Sequence, residues 1–390
     1  MSTANRGHVC IYTTAHPSDD VRVNSRIAAA LLQANYRVTW IGPENSYFHA
    51  SSTPNERINY RLFRRNDSKF KRLSAAKAAA RQSRGLRDVD WWYSPDPDAA
   101  ASAVKVARRN GGRVLVDIHE IFHGALLDRW FPKSAPAGLR EFVRRRIAAT
   151  CRRSDLVIGV SEAVLRPYVS RGTHYEVVRN CAPSWFAKRI EKSAADGAAS
   201  ERVRIMHGKC IPSNGALAVV EAARLLDAES AGLLSIYMSE AAGGNTPFVI
   251  GIADRLADLP EGLVTLAPGV PHEAMPALLQ TCEVGMVAYG RDLGADSLPN
   301  RLFEYMASGL AVLAPSYAVE IADIIETERI GVVADFEDPE AIAAAFRWIT
   351  KNRGEVQAMG ERARAAFVER FNWDAEAEKM LAAMQRLETA

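Results

Sequence analysis

Residues 8–43 read HVCIYTTAHPSDDVRVNSRIAAALLQANYRVTWIGP, and their pattern sets the fold class. HVCIYTT has the apolar run of a buried strand. RVNSRIAAALLQAN, residues 22–35, then places Val23, Ile27, Ala30 and Leu31 at helical spacing, and YRVTWIGP returns to strand character. This is a β-α-β unit. The same alternation continues through VDWWYS, RVLVDIHE and SDLVIGVS, with helix-compatible sequence such as DAAASAVKVARRNGG between them and glycines to stop it. Such alternation implies a parallel sheet covered on both faces.

After VVRNCAP the composition turns polar, in KRIEKSAADGAASER, which reads as an interdomain linker over 186–200. A second α/β series follows. Its strands are predicted at VRIMHG, LLSIYM, LVTLAP, VGMVAY, LAVLAP and GVVADF, with helices at GALAVVEAARLLD, PHEAMPALLQ, LFEYMAS, VEIADIIE and DPEAIAAAFRWI. A chain of 390 residues is too long for one ordinary core. The expectation is two doubly wound α/β domains, 1–185 and 201–371, facing a cleft, with 372–390 a C-terminal helix packing back toward the first domain.

Apolar residues make up 48% of the chain and charged residues 24%, a globular balance that excludes wholesale disorder. No stretch reaches the roughly 18 apolar residues of a membrane-spanning helix, and the first residues lack a signal-peptide layout, so the cytoplasm is the expected compartment. The five cysteines are scattered without a Cys-x-x-Cys pair, which points to buried thiols and away from disulfides or zinc. The net charge of +3 conceals an asymmetry: residues 1–185 hold 30 Lys+Arg against 16 Asp+Glu, and residues 186–390 hold 19 against 30. The first half is built to meet anions.

The strongest local signal is DSLPNRLFEYMASGLAVLAP, residues 296–315. Ser297 is a candidate N-cap, Pro299 fits the first helical turn, and Gly309 stops the helix. Free amides at the start of that helix, behind the strand VGMVAY, offer donors and a positive dipole end to a phosphate. Glu304 lies roughly 9 Å along at ~1.5 Å per residue, a span that suits the ribose of a bound nucleotide. An ordinary capped helix with a surface Glu is the alternative.

These residues resemble the retaining glycosyltransferases of family 4, whose fold is GT-B, two Rossmann-like domains. That family's donor signature is an acidic residue, seven others, then Glu; Asp296 and Glu304 stand in those positions, and LPNRLFEYMASG is similar to a common variant. The resemblance implies that Glu304 holds the ribose, that Ser297, Leu298, Pro299 and Asn300 touch the diphosphate, and that Asp296 addresses the sugar hydroxyls. HGKCIPSNGALAVVEAARLL, residues 207–226, resembles the family's Gly-Arg…Lys-Gly loop, in which two cations neutralise the leaving diphosphate. Lys209 takes the first cationic position, whereas Asn214 stands where Lys is expected. Losing a buried cation there is worth ~2–4 kcal/mol of transition-state stabilisation, by analogy with an oxyanion donor. Arg301 is the nearby candidate to compensate. SIYMSE, residues 235–240, departs from the family's Gly-rich turn, with the glycine pair displaced to Gly243 and Gly244.

In the first half, TTAHPSDDVRVNSR, residues 13–26, follows the first strand and falls on the ligand-facing edge of an open sheet. His16, Asp19, Asp20, Arg22 and Arg26 crowd it, similar to a His-Pro-x-Asp-Asp-x-Arg variant in some family members. The expectation is an acceptor-binding role for His16, Asp20, Arg22 and Arg26, against a solvated loop whose charges pair with each other. DIHEIFHG, residues 117–124, puts His119 and Glu120 on the same edge. The resemblance makes His119 a catalytic-centre residue beside the donor sugar, with Glu304 and Lys209, and Glu120 an acceptor contact; a hydrogen-bonded structural histidine is the plainer reading. Front-side attack within an ion pair, the family's retaining mechanism, asks for positioning and electrostatics more than a strong base.

Residues 57–87 are dense in cations with Leu62, Phe63, Phe70 and Leu73 interleaved. With Arg144, Arg145 and Arg146 they suggest a face for an anionic membrane and a lipid-linked acceptor; solvated helix faces are the alternative. The implied partners are a nucleotide-diphosphate sugar as donor and a glycan, lipid-linked or small-molecule acceptor. No separate cofactor or metal is implied, and no nucleic-acid motif occurs. Two rival functions stay open: a GT-B sugar-nucleotide 2-epimerase, which needs cleft acids for proton abstraction, and a degenerate transferase that only binds the donor.

Overall fold

The computed structural model describes residues 6–18, 20–44, 55–64, 72–122, 136–193, 201–240, 246–271, 274–291 and 297–389. The chain divides into two compact units, Met1–Arg179 with Asp374–Ala390, and Asn180–Trp373.

Unit 1 holds a parallel sheet of β1 (Gly7–Tyr12), β2 (Tyr36–Pro43), β3 (Ile58–Phe63), β4 (Trp91–Ser94), β5 (Arg113–Ile118), β6 (Leu156–Gly159) and β7 (Tyr175–Val177), in the order β3-β2-β1-β4-β5-β6-β7. The order reverses between β1 and β4. The edge strands β3 and β7 are absent from the sequence reading. In β3 only the end residues Ile58 and Phe63 are buried, so it falls within the cation-dense stretch 57–87 without the apolar run of a strand. Between β1 and β2 the chain winds as a π-helical turn, Val21–Ala28, that runs on into Ala29–Gln33. Val23, Ile27, Ala30 and Leu31 are buried, as their spacing predicts.

The last helix, Trp373–Glu388, belongs to unit 1 in all but its first residue. Trp91 Nε1 and Tyr36 OH both donate to Glu388, at 2.7 and 2.8 Å. The fully buried Glu376 accepts from the Arg179 amide at 2.9 Å and pairs with Lys379 at 2.7 Å. A buried carboxylate needs such partners to offset its lost hydration.

The change of unit at Arg179–Asn180 precedes the expected linker. Residues Ser184–Ser193 form a helix, and its Phe186 and Ala187 sit in the unit 2 core, so the chain has already entered unit 2 there; residues 194–200 lie outside the described residues. Unit 2 repeats the topology with β8 (Val203–Cys210), β9 (Leu234–Glu240), β10 (Val264–Ala267), β11 (Val284–Met286), β12 (Ala311–Pro315) and β13 (Gly331–Ala334), all parallel, in the order β10-β9-β8-β11-β12-β13. Its sheet carries a core on each face. Met206, Val312 and Ala314 pack with the helices Ser184–Ser193, Asn300–Ser308 and Arg353–Glu369. Ile205, Ile236 and Leu313 pack with Ala216–Arg224, Pro247–Leu256 and Pro339–Lys351.

Candidate active site

In open α/β sheets, ligands bind beyond the C-terminal strand ends where the strand order reverses. In unit 2 that point lies between β8 and β11, and the helix Asn300–Ser308 begins there. Its cap is Pro299, extended at φ −79° and ψ 150°, so the expected cap Ser297 falls before the helix. The reason is local. A proline disfavours helical geometry in the residue before it, and that residue is Leu298. Gly309, at φ 71°, ends the helix as its sequence predicts. The helix is fixed by Tyr305, whose hydroxyl donates to the carbonyls of Met206 and Met286 at 3.4 and 3.3 Å. Gly285 makes this possible: a Cβ there would lie 2.1 Å from the Tyr305 ring. With Leu302, Phe303 and Met306 buried, Arg301 and Glu304 remain half-buried, near backbone amides that have no intrahelical acceptor.

Facing this helix start is the end of β8. Lys209 is exposed. Arg301 Nη1 donates to the His207 carbonyl at 3.3 Å, and its guanidinium lies 5.1 Å from the Tyr289 ring centre. Asn214 is buried and turned inward, its Nδ2 donating to the Lys209 carbonyl at 3.0 Å. In this position it braces the loop that carries Lys209. Gly215 sits at φ 62°, and a Cβ there would be 2.5 Å from the Ala288 carbonyl, so the loops after β8 and β11 pack backbone to backbone. The buried His207 places Nε2 3.0 Å from the Asn214 carbonyl. Burial, then the charge of Arg301, pulls its pKa down to about 4, which leaves a neutral ring donating through Nε2. Asp296, Gly243 and Gly244 lie outside the described residues.

In unit 1 the order reverses between β1 and β4. Here His16 Nδ1 lies 2.9 Å from Asp96 Oδ1. The other Asp96 oxygen accepts from Thr13 Oγ1 at 2.5 Å, the Thr14 amide at 2.9 Å and the Ala15 amide at 3.2 Å. Burial alone would raise the Asp96 pKa, but the hydrogen bond and charge of His16 outweigh it and hold it at about 2. His16 is correspondingly raised, its own burial overcome by Asp96. The His16 and His119 rings meet edge to face at 5.1 Å.

Beside them is a buried ion pair. Arg22 Nε and Nη2 clasp the two oxygens of Asp117 at 2.9 Å each, and Tyr93 OH donates to Asp117 at 2.6 Å. Burial works against both charges, yet Arg22 keeps Asp117 below its ordinary pKa. Burial lowers the pKa of His119, whose Nδ1 has no hydrogen-bond partner among the described residues.

The acceptor residues expected in this loop therefore separate. Arg22 and Arg26 are buried, and Asp20 caps the π-helical turn by accepting from the Val23 amide at 2.8 Å. Arg22 is neutralised by Asp117 on β5, leaving the half-buried His16, His119 and Glu120 at the strand ends; Asp19 lies outside the described residues. Asp96, Asp117, Tyr93 and His207 went unnoticed in the sequence reading. SPDPDAA directly after a strand was the available signal for Asp96, because that turn borders the reversal point. A cavity of about 630 Å³, lined by Cys282, Glu283 and Arg353 among others, opens at the opposite strand ends of unit 2, away from this chemistry. Among the described residues no His, Cys, Asp and Glu cluster is disposed to hold a metal ion, and no helix is long and apolar enough to cross a membrane.

Residues 21–182 match the pattern described as Glycosyltransferase Family 4, and residues 240–382 that described as Glycosyl transferase-like. No curated protein sequence matches the chain. Among solved structures, Anabaena HepE in complex with UDP superposes with a TM-score of 0.73 at 12% identity, over 97% of this chain and 100% of that one. The same protein in complex with UDP-glucose gives 0.71 at 12%, over 99% and 100%. Sucrose-phosphate synthase from Thermosynechococcus elongatus gives 0.73 at 16%, over 98% and 100%. Together with the paired parallel sheets, these likenesses define a glycosyltransferase-like chain of GT-B fold. Residues 21–182 are thus similar to Glycosyltransferase Family 4, and residues 240–382 to glycosyl transferases more broadly.

Proposed function

We propose that the chain transfers a hexose from UDP-glucose or a close relative to a glycan, lipid-linked or small-molecule acceptor. One observation supports the donor assignment: a helix starts at the β8–β11 reversal point and its Arg301 bonds the His207 carbonyl on β8, the strand that also carries the exposed Lys209. In this reading the amides from Asn300 onward, with Ser297, Leu298, Pro299, Arg301 and Lys209, receive the diphosphate, and Glu304 accepts from the ribose hydroxyls. Asp296 remains the proposed contact to the sugar hydroxyls. UDP and UDP-glucose bound to HepE support the choice of base and sugar.

As the bond from the anomeric carbon to the phosphate oxygen breaks, its electron pair stays on that oxygen. The acceptor oxygen bonds to the same face of the carbon, and its proton passes to the departing phosphate. Such a reaction needs held charges more than a strong base. We assign His119 the task of orienting the transferred sugar, and His16, steadied by Asp96, with Glu120 that of binding the acceptor. Arg22, Arg26 and Asp20 serve by holding the loop that carries His16. The cationic surface formed by Lys77, Arg81, Arg84 and Arg109 suits peripheral contact with an anionic membrane.

Titration calorimetry with UDP-, GDP-, dTDP- and ADP-sugars tests the assignment. Glu304→Ala is expected to weaken the preferred donor, and His119→Ala to lower turnover while donor affinity persists. Equal donor affinity in wild type and Glu304→Ala would refute the donor site.

A further inference from the structure

The β8 loop lacks the second cation that a leaving diphosphate calls for, because position 214 is Asn and its amide is spent on the Lys209 carbonyl, 3.0 Å away. Adding charge at that buried position would not bring it to a ligand. Arg291, the other arginine near the β11 loop, pairs with Asp335 at 3.6 Å and lies over Tyr317 at 4.4 Å.

Arg301 differs on each count. Among the described residues its guanidinium pairs with no carboxylate. It is held by the His207 carbonyl at 3.3 Å and the Tyr289 ring at 5.1 Å, neither of which neutralises it. The strand end is shaped to admit it. Gly208 adopts φ 92°, and a Cβ there would stand 3.0 Å from Nη1. His207, whose carbonyl anchors the guanidinium, is buried and satisfied through Nε2 by the Asn214 carbonyl at 3.0 Å, so a single bonded path joins Lys209, Asn214, His207 and Arg301.

We propose that Arg301 is the second cation for the leaving diphosphate, moved from the β8 loop to the start of the 300–308 helix, with Asn214 retained as the brace that sets Lys209. This rests on the donor site proposed above. A guanidinium at that place presents a planar fork that grips two phosphate oxygens, where a lysine offers one point charge. The distal phosphate, which gains charge as the sugar departs, is the group it serves.

Calorimetric titration with UDP and UMP, and with the guanosine and adenosine pairs, separates this claim from the reading beneath it. Arg301→Met is expected to lose roughly 10–100-fold in diphosphate affinity, the range for a charge-assisted hydrogen bond, while monophosphate affinity stays within about twofold. Arg301→Lys, which keeps the charge and guards against a folding artefact, should recover part of the loss. Glu304→Ala should weaken the diphosphate and monophosphate alike, because it acts on the ribose. An unchanged diphosphate-to-monophosphate ratio in Arg301→Met would overturn the role of Arg301 and leave the donor site standing if Glu304→Ala still weakens both. No effect of Glu304→Ala would overturn the donor site itself.

Discussion

Asp117→Asn isolates the physics of unit 1. The substitution keeps the shape of the side chain and removes its charge. Asp117 is fully buried, Arg22 clasps both of its oxygens at 2.9 Å, and the Arg22 side chain is 7% exposed. Arg22 Nη1 already has no hydrogen-bond partner among the described residues, so the guanidinium depends on this carboxylate. Breaking one side of such a buried pair costs about 3–5 kcal/mol, because the remaining charge is stranded out of water. For a unit of this size, at roughly 2–4 °C per kcal/mol, the unit 1 transition should fall by about 6–20 °C. The double variant Arg22→Met/Asp117→Leu removes both charges and should regain more than half of the loss.

The pH dependence has a definite sign. Asp117 has a lower pKa folded than unfolded, so its contribution is present above roughly pH 4 and is lost as pH falls through the folded value; Asp117→Asn should flatten that acid limb. Differential scanning calorimetry across pH reads both quantities. A loss under about 1 kcal/mol in Asp117→Asn, or a double variant no more stable than the single, would refute the stranded-charge argument.

His207 gives a second acid response by the opposite route: its folded pKa, about 4, lies below the ordinary value of 6.5, so the unfolded chain takes up the proton first. Stability should fall between roughly pH 6.5 and pH 4 by up to about 3 kcal/mol, and His207→Gln should remove that slope in denaturant titrations. For the membrane contact, co-sedimentation with phosphatidylserine-containing vesicles should be strong at low salt and be lost when Lys77, Arg81 and Arg84 become Glu. An absence of pelleting even at low salt counts against the contact.

Much of this architecture is legible in the amino-acid pattern because its physics is local. A strand buried on both faces is apolar nearly throughout, so β12 announces itself, as do the apolar stretches of β8 and β9. The 300–308 helix is equally visible, its apolar residues periodic and its end set by Gly309. What escaped notice is what depends on distant neighbours. Arg22 and Asp117 are 95 positions apart, and His16 and Asp96 are 80 apart, and no periodicity links such pairs. The charged loop reads as acceptor-binding or as solvated, and the inward turn of Arg22 is hidden because only a carboxylate on another strand makes it tolerable. Asn214 is legible by its position in a motif, whereas its bond to the Lys209 carbonyl depends on how the loop folds back, which the motif does not encode.

The final helix lends Glu388 to a sheet made far earlier in the chain, where its partners Tyr36 and Trp91 lie 352 and 297 positions before it. During synthesis the first unit therefore emerges unfinished, with the partner of those two side chains still untranslated, while everything needed for the second unit is made before the chain returns. The middle segment can mature on its own schedule; the outer one must hold open until its closing piece arrives.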